Sequence, residues 1–377
     1  MTTEDTSHAA NPVDDRYTPP SCGELDEITH ILADGRLSGG ALVLPRYEQA
    51  LAEWFGVKRA VAVNSGSSAL HATLTAVGVR PNDEVLVPAI APLPTAMPIL
   101  TCGATPVLVD TLPGSLALDP ADVAAKLTQK TKAVVTLPLW GYPADDTLVA
   151  ALLAASGVPI IEDACQAHGT KICGRYAGTH GQAGCFSTHD RKLLSTGEGG
   201  FVLTDDEELA DRIDSYTHLG HLTGGVHGVN YKLAAPLAAI GLRRLHGLQG
   251  QLRSRRANAA RLLAALPDNG ALAELTHGQN DTPNYYNVVL VAAHDAESFV
   301  AAFTSAGLQP DSVRYGYRPL YRRSIFTRYA TACPNAEALC AATLQLPVHP
   351  GMSEAALAWV AHRIHSLATS YTERQRP

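Results

Sequence analysis

A lysine, a carboxylate and a turn of small residues carry the chemistry that this sequence suggests first. Lys192 lies in FSTHDRKLLSTGEGGFVL (186–203), between a strand-like run and the glycine-dense turn GEGG (197–200), among small or polar neighbours. A lysine becomes a nucleophile toward carbonyl carbon when desolvation or nearby positive charge lowers its pKa. The plain alternative is a surface lysine beside a tight turn. Asp163 closes the apolar run VPIIED (158–163), and a carboxylate at the end of a buried strand needs a partner. It either caps the following turn or keeps a heterocyclic nitrogen protonated. Gln166 and His168 follow in EDACQAHG (162–169), where they either reach the same ring or stabilise the turn. NSGSSAL (64–70) feeds a helix-like stretch. Glycine there admits a ligand to the backbone, and a helix N-terminus offers free N–H groups and partial positive charge to a phosphate. Ser-Gly-Ser is equally an ordinary N-cap.

The elements that must position these residues are legible as seven short runs: AVAV (60–63), EVLV (84–87), PVLVD (106–110), AVVTL (133–137), VPIIED (158–163), GCFS (184–187) and GFVL (200–203). Most are apolar throughout, as strands buried on both faces are. Helix-compatible stretches such as SSALHATLTAVG and ADVAAKLTQ separate them, one opened by serine and one by Pro120. The pattern predicts an α/β fold with a mostly parallel sheet covered by helices on both sides. The short link between the last two runs leaves one of them free to run antiparallel. Open parallel sheets bind ligands at the carboxyl ends of their strands. Residues 65–68 follow the first run, Asp163 ends the fifth and Ser187 ends the sixth, so one pocket collects all three.

Residues 206–265 read as helical, and a second composition begins near Pro267 with YYNVVLVAA (285–293) and AESFVAAFTSAG (296–307). The expected organisation is a loose polar arm over 1–20, a large domain over 21–250 and a smaller C-terminal α+β domain over 251–377. The 377 residues exceed the roughly 100–200 of a single domain. Composition, 46% hydrophobic and 17% charged, is that of an ordinary globular protein. A net charge of -7 without a basic block argues against nucleic acid as a partner. Seven scattered cysteines without a CxxC, and no signal-like N-terminus, predict a reduced, cytoplasmic protein. No apolar run is long enough for a membrane span. HLGHLTGGVHG (218–228) holds three histidines, but without HExxH or paired thiolates it reads as a loop rather than a metal site. Cys165 reads as a small packing residue.

A phosphate cup, a strand-end acid and a lysine about thirty residues beyond it are the parts that pyridoxal 5′-phosphate requires. GRLSGG (35–40), NSGSSALHATLTAVGVRPNDEVLVPA (64–89), GATPVLVD (103–110), EDACQAHG, FSTHDRKLLSTGEGG, GVNYKLAAPLAAIGLRRL (228–245) and LQLPVHPGMSE (344–354) extend the pattern along nearly the whole chain. In this order and spacing they resemble the sugar aminotransferases of the DegT/DnrJ/EryC1/StrS family, of fold type I, with a mostly parallel seven-stranded sheet. The resemblance implies that Lys192 is the Schiff-base lysine, Asp163 pairs with the pyridinium nitrogen and Gln166 touches the phenolic oxygen. It further implies that Gly66, Ser67 and Ser187 bind the phosphate. Asn230 would reach the phosphate from a partner subunit, which makes a homodimer with shared active sites. The implied reaction moves an amino group from glutamine or glutamate to a keto sugar or keto-cyclitol in amino sugar or aminocyclitol secondary metabolism.

Three departures accompany the resemblance. Pro92, in VPAIAPLPTAM (87–97), stands where the family usually stacks an aromatic ring on the cofactor. Ser187-Thr188-His189 replaces the common Ser-Phe-(His/Tyr/Gln), and Lys232 replaces an arginine, losing two-pronged hydrogen bonding. The loop RYGYRPLYRRSIF (314–326) is more similar to the branch acting on cyclitol ketones and aminohydroxybenzoate precursors, which commonly takes glutamine as donor. Arg314, Tyr317 and Arg322, with His168 and His189, are the expected substrate contacts; solvated surface charge is the alternative for the arginines. A dehydrating aromatase of the same fold and a non-catalytic, cofactor-binding regulator remain rival readings. A sugar dehydratase of this fold would carry histidine at the place of Lys192.

Overall fold

The computed structural model describes residues 17, 19–308 and 310–374. Residues 1–16 and 18 of the expected N-terminal arm lie outside the described residues. All seven apolar runs become strands of one sheet. They are β1 (Arg59–Val63), β2 (Glu84–Pro88), β3 (Thr105–Val109), β4 (Thr131–Thr136) and β5 (Ile160–Asp163), then, after a small hairpin of β6 (Lys171–Ile172) and β7 (Arg175–Tyr176), β8 (Ala183–Ser187) and β9 (Gly200–Thr204). The sheet order is β1-β9-β8-β5-β4-β2-β3. Neighbours from β8 to β3 run parallel, whereas β9 is antiparallel to both β1 and β8. The reason is the connection: 188–199 contains no helix, and a parallel return needs a crossover that usually contains one.

Helices close both faces. They are α1 (Glu24–Asp34), α2 (Val43–Phe55), α3 (Gly66–Ala76), α4 (Leu93–Thr101), α5 (Pro120–Lys126), α6 (Thr147–Leu153), α7 (Glu207–Thr217) and α8 (Ala235–Leu263). Side chains alternate across a strand, and β1 shows it: Ala60 and Ala62 pack with Leu51, Phe55 and Leu242 of α2 and α8, while Val61 and Val63 pack with Leu70, Leu74 and Ile213 of α3 and α7. Burying each large side chain in such a core contributes about 1.5–3 kcal/mol. Asp119 and Asp206 cap α5 and α7 through bonds from Ala121 N–H at 2.9 Å and Leu209 N–H at 2.9 Å.

A second, antiparallel sheet of β10 (Leu272–Glu274), β11 (Asn287–Ala292) and β12 (Thr343–Pro347) carries α9 (Ala296–Ser305), α10 (Asp311–Arg314), α11 (Pro334–Ala342) and α12 (Glu354–Arg374). The division expected between 250 and 251 falls inside α8. Leu242, Leu245, Leu248 and Leu252 of this unbroken helix enter the core of the large sheet, whereas Ala259 and Leu262 enter that of the small one. Among the described residues no helix is long and apolar enough to cross a membrane.

Candidate active site

The carboxyl ends of β5 and β8 and the N-terminus of α3 face a common cleft. Its inner lobe, about 350 Å³, is lined by Gly66, Ser67, Asp163, Gln166, Ser187 and Lys192, among others. An outer lobe of about 400 Å³ shares Pro92, Gln166, His189 and Lys192 with it and extends to Trp140, Tyr286 and Tyr317. The lysine therefore stands where the two lobes meet.

The α3 end of the cleft is built by close approach. Ser65 caps the helix, its hydroxyl accepting from Ser68 N–H at 3.1 Å, which leaves the Gly66 and Ser67 end of the helix toward the cleft. A Cβ at Gly66 would stand 2.7 Å from Cys165 Sγ and 2.8 Å from Ser187 Cβ, so only glycine fits between α3 and the ends of β5 and β8. Ser187 Oγ accepts from His189 N–H at 3.3 Å.

Asp163 is buried and held from two sides. Thr95 Oγ1 donates to Oδ2 at 2.5 Å, and Cys165 N–H donates to Oδ1 at 3.1 Å. Gln166 is oriented as well: its Oε1 accepts from Trp140 N–H at 2.7 Å, which turns the amide so that Nε2 is the donor left for a ligand. Burial, then the Asp163 charge, push the Cys165 thiol well above its ordinary pKa, against a smaller opposing effect of Lys192. That thiol stays protonated and is a poor nucleophile.

Lys192 sits on a loop that several bonds close. Thr188 and Thr196 join through their hydroxyls at 2.7 Å and through Thr196 N–H to Thr188 O at 2.7 Å. Gly199, at φ 149°, lets the chain return beneath it, where a Cβ would stand 2.4 Å from Thr188 Oγ1. Leu193 and Leu194 are buried in the core, and α8 grips the loop from below: Arg244 donates to Ser195 O at 2.9 Å and Gln251 to Leu193 O at 3.1 Å. Lys192 Nζ lies 5.2 Å from the Tyr286 ring centroid. The small domain thus supplies the wall against which the amine rests. Asn284, fully buried, connects that wall to the strand-end loop, donating to Gln166 O at 2.8 Å and accepting from Tyr286 N–H at 2.7 Å.

Two expected substrate contacts lie elsewhere. His168 is fully buried against the Phe186 and Phe201 rings, and neither ring nitrogen has a partner. Burial, reinforced by the Lys192 charge, pushes its pKa down to about 3, so it is a neutral core residue and not a substrate contact. Arg322 points away from the cleft and pairs with Glu337 at 3.1 Å; Arg318 and Arg323 of the same loop line the outer lobe instead. Tyr317 lines that lobe with its ring beside Trp140 and its hydroxyl donated to Ile90 O. His189 lines both lobes, and Arg314 lines a smaller pocket beyond them. Pro92, at the head of α4, lines both lobes where an aromatic ring was the family expectation. Asn230 is exposed and outside the cleft of its own chain. Sequence reasoning missed Thr95, Trp140, Asn284 and Tyr286. A threonine between prolines at a helix start and the pair of tyrosines before β11 were the only local signals.

A large domain with a mostly parallel seven-stranded sheet, a small antiparallel domain and a lysine–acid cleft between them define a fold type I aminotransferase. The chain matches the model of the DegT/DnrJ/EryC1/StrS aminotransferase family over residues 22–365 and belongs to that family. It is 34% identical to the GDP-perosamine synthase of Caulobacter vibrioides over 62% of this chain and 64% of that protein. It is 32% identical to the L-glutamine:2-deoxy-scyllo-inosose aminotransferase of Streptomyces lividus over 81% of this chain and 78% of that protein. The solved sugar aminotransferase CalS13 of Micromonospora echinospora superimposes with a TM-score of 0.85 at 28% identity, covering 94% of this chain and 98% of that one.

Proposed function

We propose that the protein uses pyridoxal 5′-phosphate to carry an amino group from glutamine or glutamate to a keto sugar or keto-cyclitol. The observation that supports this reading is the convergence of Lys192, Asp163 and the α3 N-terminus on one cleft. The residues suit that cofactor: Gly66 lets α3 close against the ends of β5 and β8, so that the helix N-terminus lines the cleft as a phosphate requires, and a buried carboxylate and an amine line the same lobe. When bound, the cofactor supplies an electrophilic carbon and an electron sink for a substrate carbanion. Gly66, Ser67 and Ser187 bind its phosphate, and Gln166 Nε2 donates to its phenolic oxygen. Asp163, fixed by Thr95, holds the proton at the ring nitrogen, which favours the charge that develops in the transition state. Lys192, which lines both lobes, would hold the aldehyde end of the cofactor, and its amine would take up and return the donor's α-proton. Pro92 provides an apolar wall for the ring.

The working unit of this reading is a homodimer in which Asn230 completes the partner's phosphate site. Its exposure supports this, together with the apolar residues Leu25, Leu42, Leu222 and Val226, each more than half exposed on the single chain. Seven free cysteines support a reducing, cytoplasmic setting. The names of the similar proteins make nucleotide-linked keto sugars and inosose-type keto-cyclitols the acceptors to compare.

Spectroscopy tests the reading. Protein incubated with pyridoxal 5′-phosphate is expected to colour, borohydride to fix the group at Lys192, and glutamine or glutamate to bleach the colour. Keto-cyclitols and nucleotide-linked keto sugars are then offered to the bleached enzyme, and return of colour identifies the acceptor class. Colourless protein with nothing fixed at Lys192 overturns the proposal.

A further inference from the structure

We propose that Asn284 is a positioning residue for the reaction at Lys192, its one amide setting both Gln166 and Tyr286; the assignment rests on the Lys192 cleft being the reaction site. Asn284 lines neither lobe of the cleft. It is fully buried, and it stands 118 residues beyond Gln166 in the chain. Both amide hydrogens and the amide oxygen are used. Nδ2 donates to Gln166 O at 2.8 Å and to His168 O at 3.1 Å, and Oδ1 accepts from Tyr286 N–H at 2.7 Å. The backbone N–H of Asn284 donates to Gly141 O at 3.1 Å. The loop after β5 forms turns and no ladder, so its carbonyls are held from outside. Asn284 holds those of Gln166 and His168, and Arg256 Nη2 holds that of Gly169 at 3.0 Å.

Two strained residues flank this amide. Trp140 has φ 56° and Tyr285 has φ 52°, left-handed values that residues other than glycine rarely adopt. Such conformations persist where the surrounding structure over-determines them, and they cluster at functional sites. Trp140 N–H donates to Gln166 Oε1 at 2.7 Å, and the next residue, Gly141, accepts from Asn284. A Cβ at Gly141 would overlap Asn284 Oδ1, so the two residues are in direct contact. The side chain and the carbonyl of Gln166 are thereby held through adjoining contacts.

Tyr285 is the middle residue of the turn that the bond from Tyr286 N–H to Asn284 Oδ1 closes. That turn presents the Tyr286 ring to Lys192 Nζ, 5.2 Å from the ring centroid. One buried amide therefore couples the side chain assigned to the cofactor's phenolic oxygen to the ring on which the amine rests. Removing it leaves two carbonyls without their donor and frees both strained turns to relax.

The test compares Asn284→Ala and Asn284→Asp with Tyr142→Phe. The phenylalanine variant removes a different bond between the domains, Tyr142 to Glu274 Oε1 at 3.0 Å, and none of those that Asn284 makes. Acetylation of Lys192 in the full chain freed of cofactor is followed by peptide mass spectrometry, relative to the exposed Lys130. Loss of the Tyr286 contact is expected to speed labelling of Lys192 about two- to fivefold in Asn284→Ala. Tyr142→Phe is expected to leave it unchanged. Affinity for pyridoxal 5′-phosphate, read by absorbance titration, is expected to fall about tenfold in Asn284→Ala, as loss of one hydrogen bond would give. In Asn284→Asp an ionised carboxylate opposes two carbonyls, whereas the protonated acid donates to one, and burial favours the acid. The excess labelling of that variant over wild type is therefore expected to shrink as pH falls from about 8.5 to about 6.5. Unchanged labelling in Asn284→Ala, or an equal rise in Tyr142→Phe, overturns the proposal. If the alanine variant does not fold, pH-independent labelling in Asn284→Asp overturns it instead. A protein that never colours, but whose Lys192 is freed by Asn284→Ala, would sink the cofactor assignment and leave the positioning role standing.

Discussion

Thr95, in the first turn of α4, donates its hydroxyl hydrogen to Asp163 Oδ2 at 2.5 Å, across 68 residues of sequence. Both groups are buried, and a bond to an ionised partner in such surroundings is worth about 1.5–3 kcal/mol. Thr95→Val keeps the shape and removes the donor. The expected outcome is a fall in turnover of about 10–100-fold, with Lys192 still labelled by borohydride. Unchanged turnover would show that the hydroxyl only packs.

Asp163→Asn is expected to retain bound cofactor while turnover falls by at least about a hundredfold, because a neutral amide does not hold a proton at a ring nitrogen. The pairing of intact binding with lost rate is the signature. It is read by comparing absorbance titrations with steady-state rates, and near-normal turnover removes the role assigned to this carboxylate.

Gly66→Ala forces a methyl group to within 2.8 Å of Cys165 Sγ and Ser187 Cβ, and to 3.2 Å of Ser187 Cα. Overpacking of this kind costs about 1–3 kcal/mol. Lower thermal stability and weaker affinity for pyridoxal 5′-phosphate are expected together. A variant that melts like wild type yet binds the cofactor normally would show that the cup has more room than the contact distances allow.

His168→Leu separates burial from substrate contact. The folded pKa, about 3, lies below the ordinary histidine value of about 6.5. Below pH 6.5 the unfolded chain therefore takes up a proton that the folded chain refuses, and stability declines as pH falls toward 3. At full effect one such proton is worth about 1.4 kcal/mol per pH unit. The leucine variant should lose stability less steeply between pH 6.5 and 4.5 in denaturant unfolding, with turnover near that of wild type. The same slope in both proteins would count against the assignment.

Much of the architecture was open to reading from local pattern. The seven apolar runs are the seven strands, because strands covered on both faces show no alternation in sequence and are bounded by turns. The short helix-free link between β8 and β9 already left a reversal available, and the structure takes it. Gly66, Ser67, Asp163, Gln166, Ser187 and Lys192 all line one lobe, since a parallel sheet collects its strand ends along one edge. The boundary between domains was less legible, because α8 is one helix whose periodicity does not change where its partners do.

What the sequence by itself determined is therefore the set of strand-end residues and the family they resemble. Both depend on short-range features: apolar runs, small-residue turns and the spacing of an acid and a lysine. Only the tertiary structure decided that Thr95 orients Asp163, that Tyr286 lies under Lys192, and that Asn284 ties Tyr286 to the loop after β5. It alone turned His168 into the core and Arg322 toward Glu337. The direction of a side chain leaving an irregular loop, and contacts between residues far apart in the chain, are fixed by packing. No local periodicity records them.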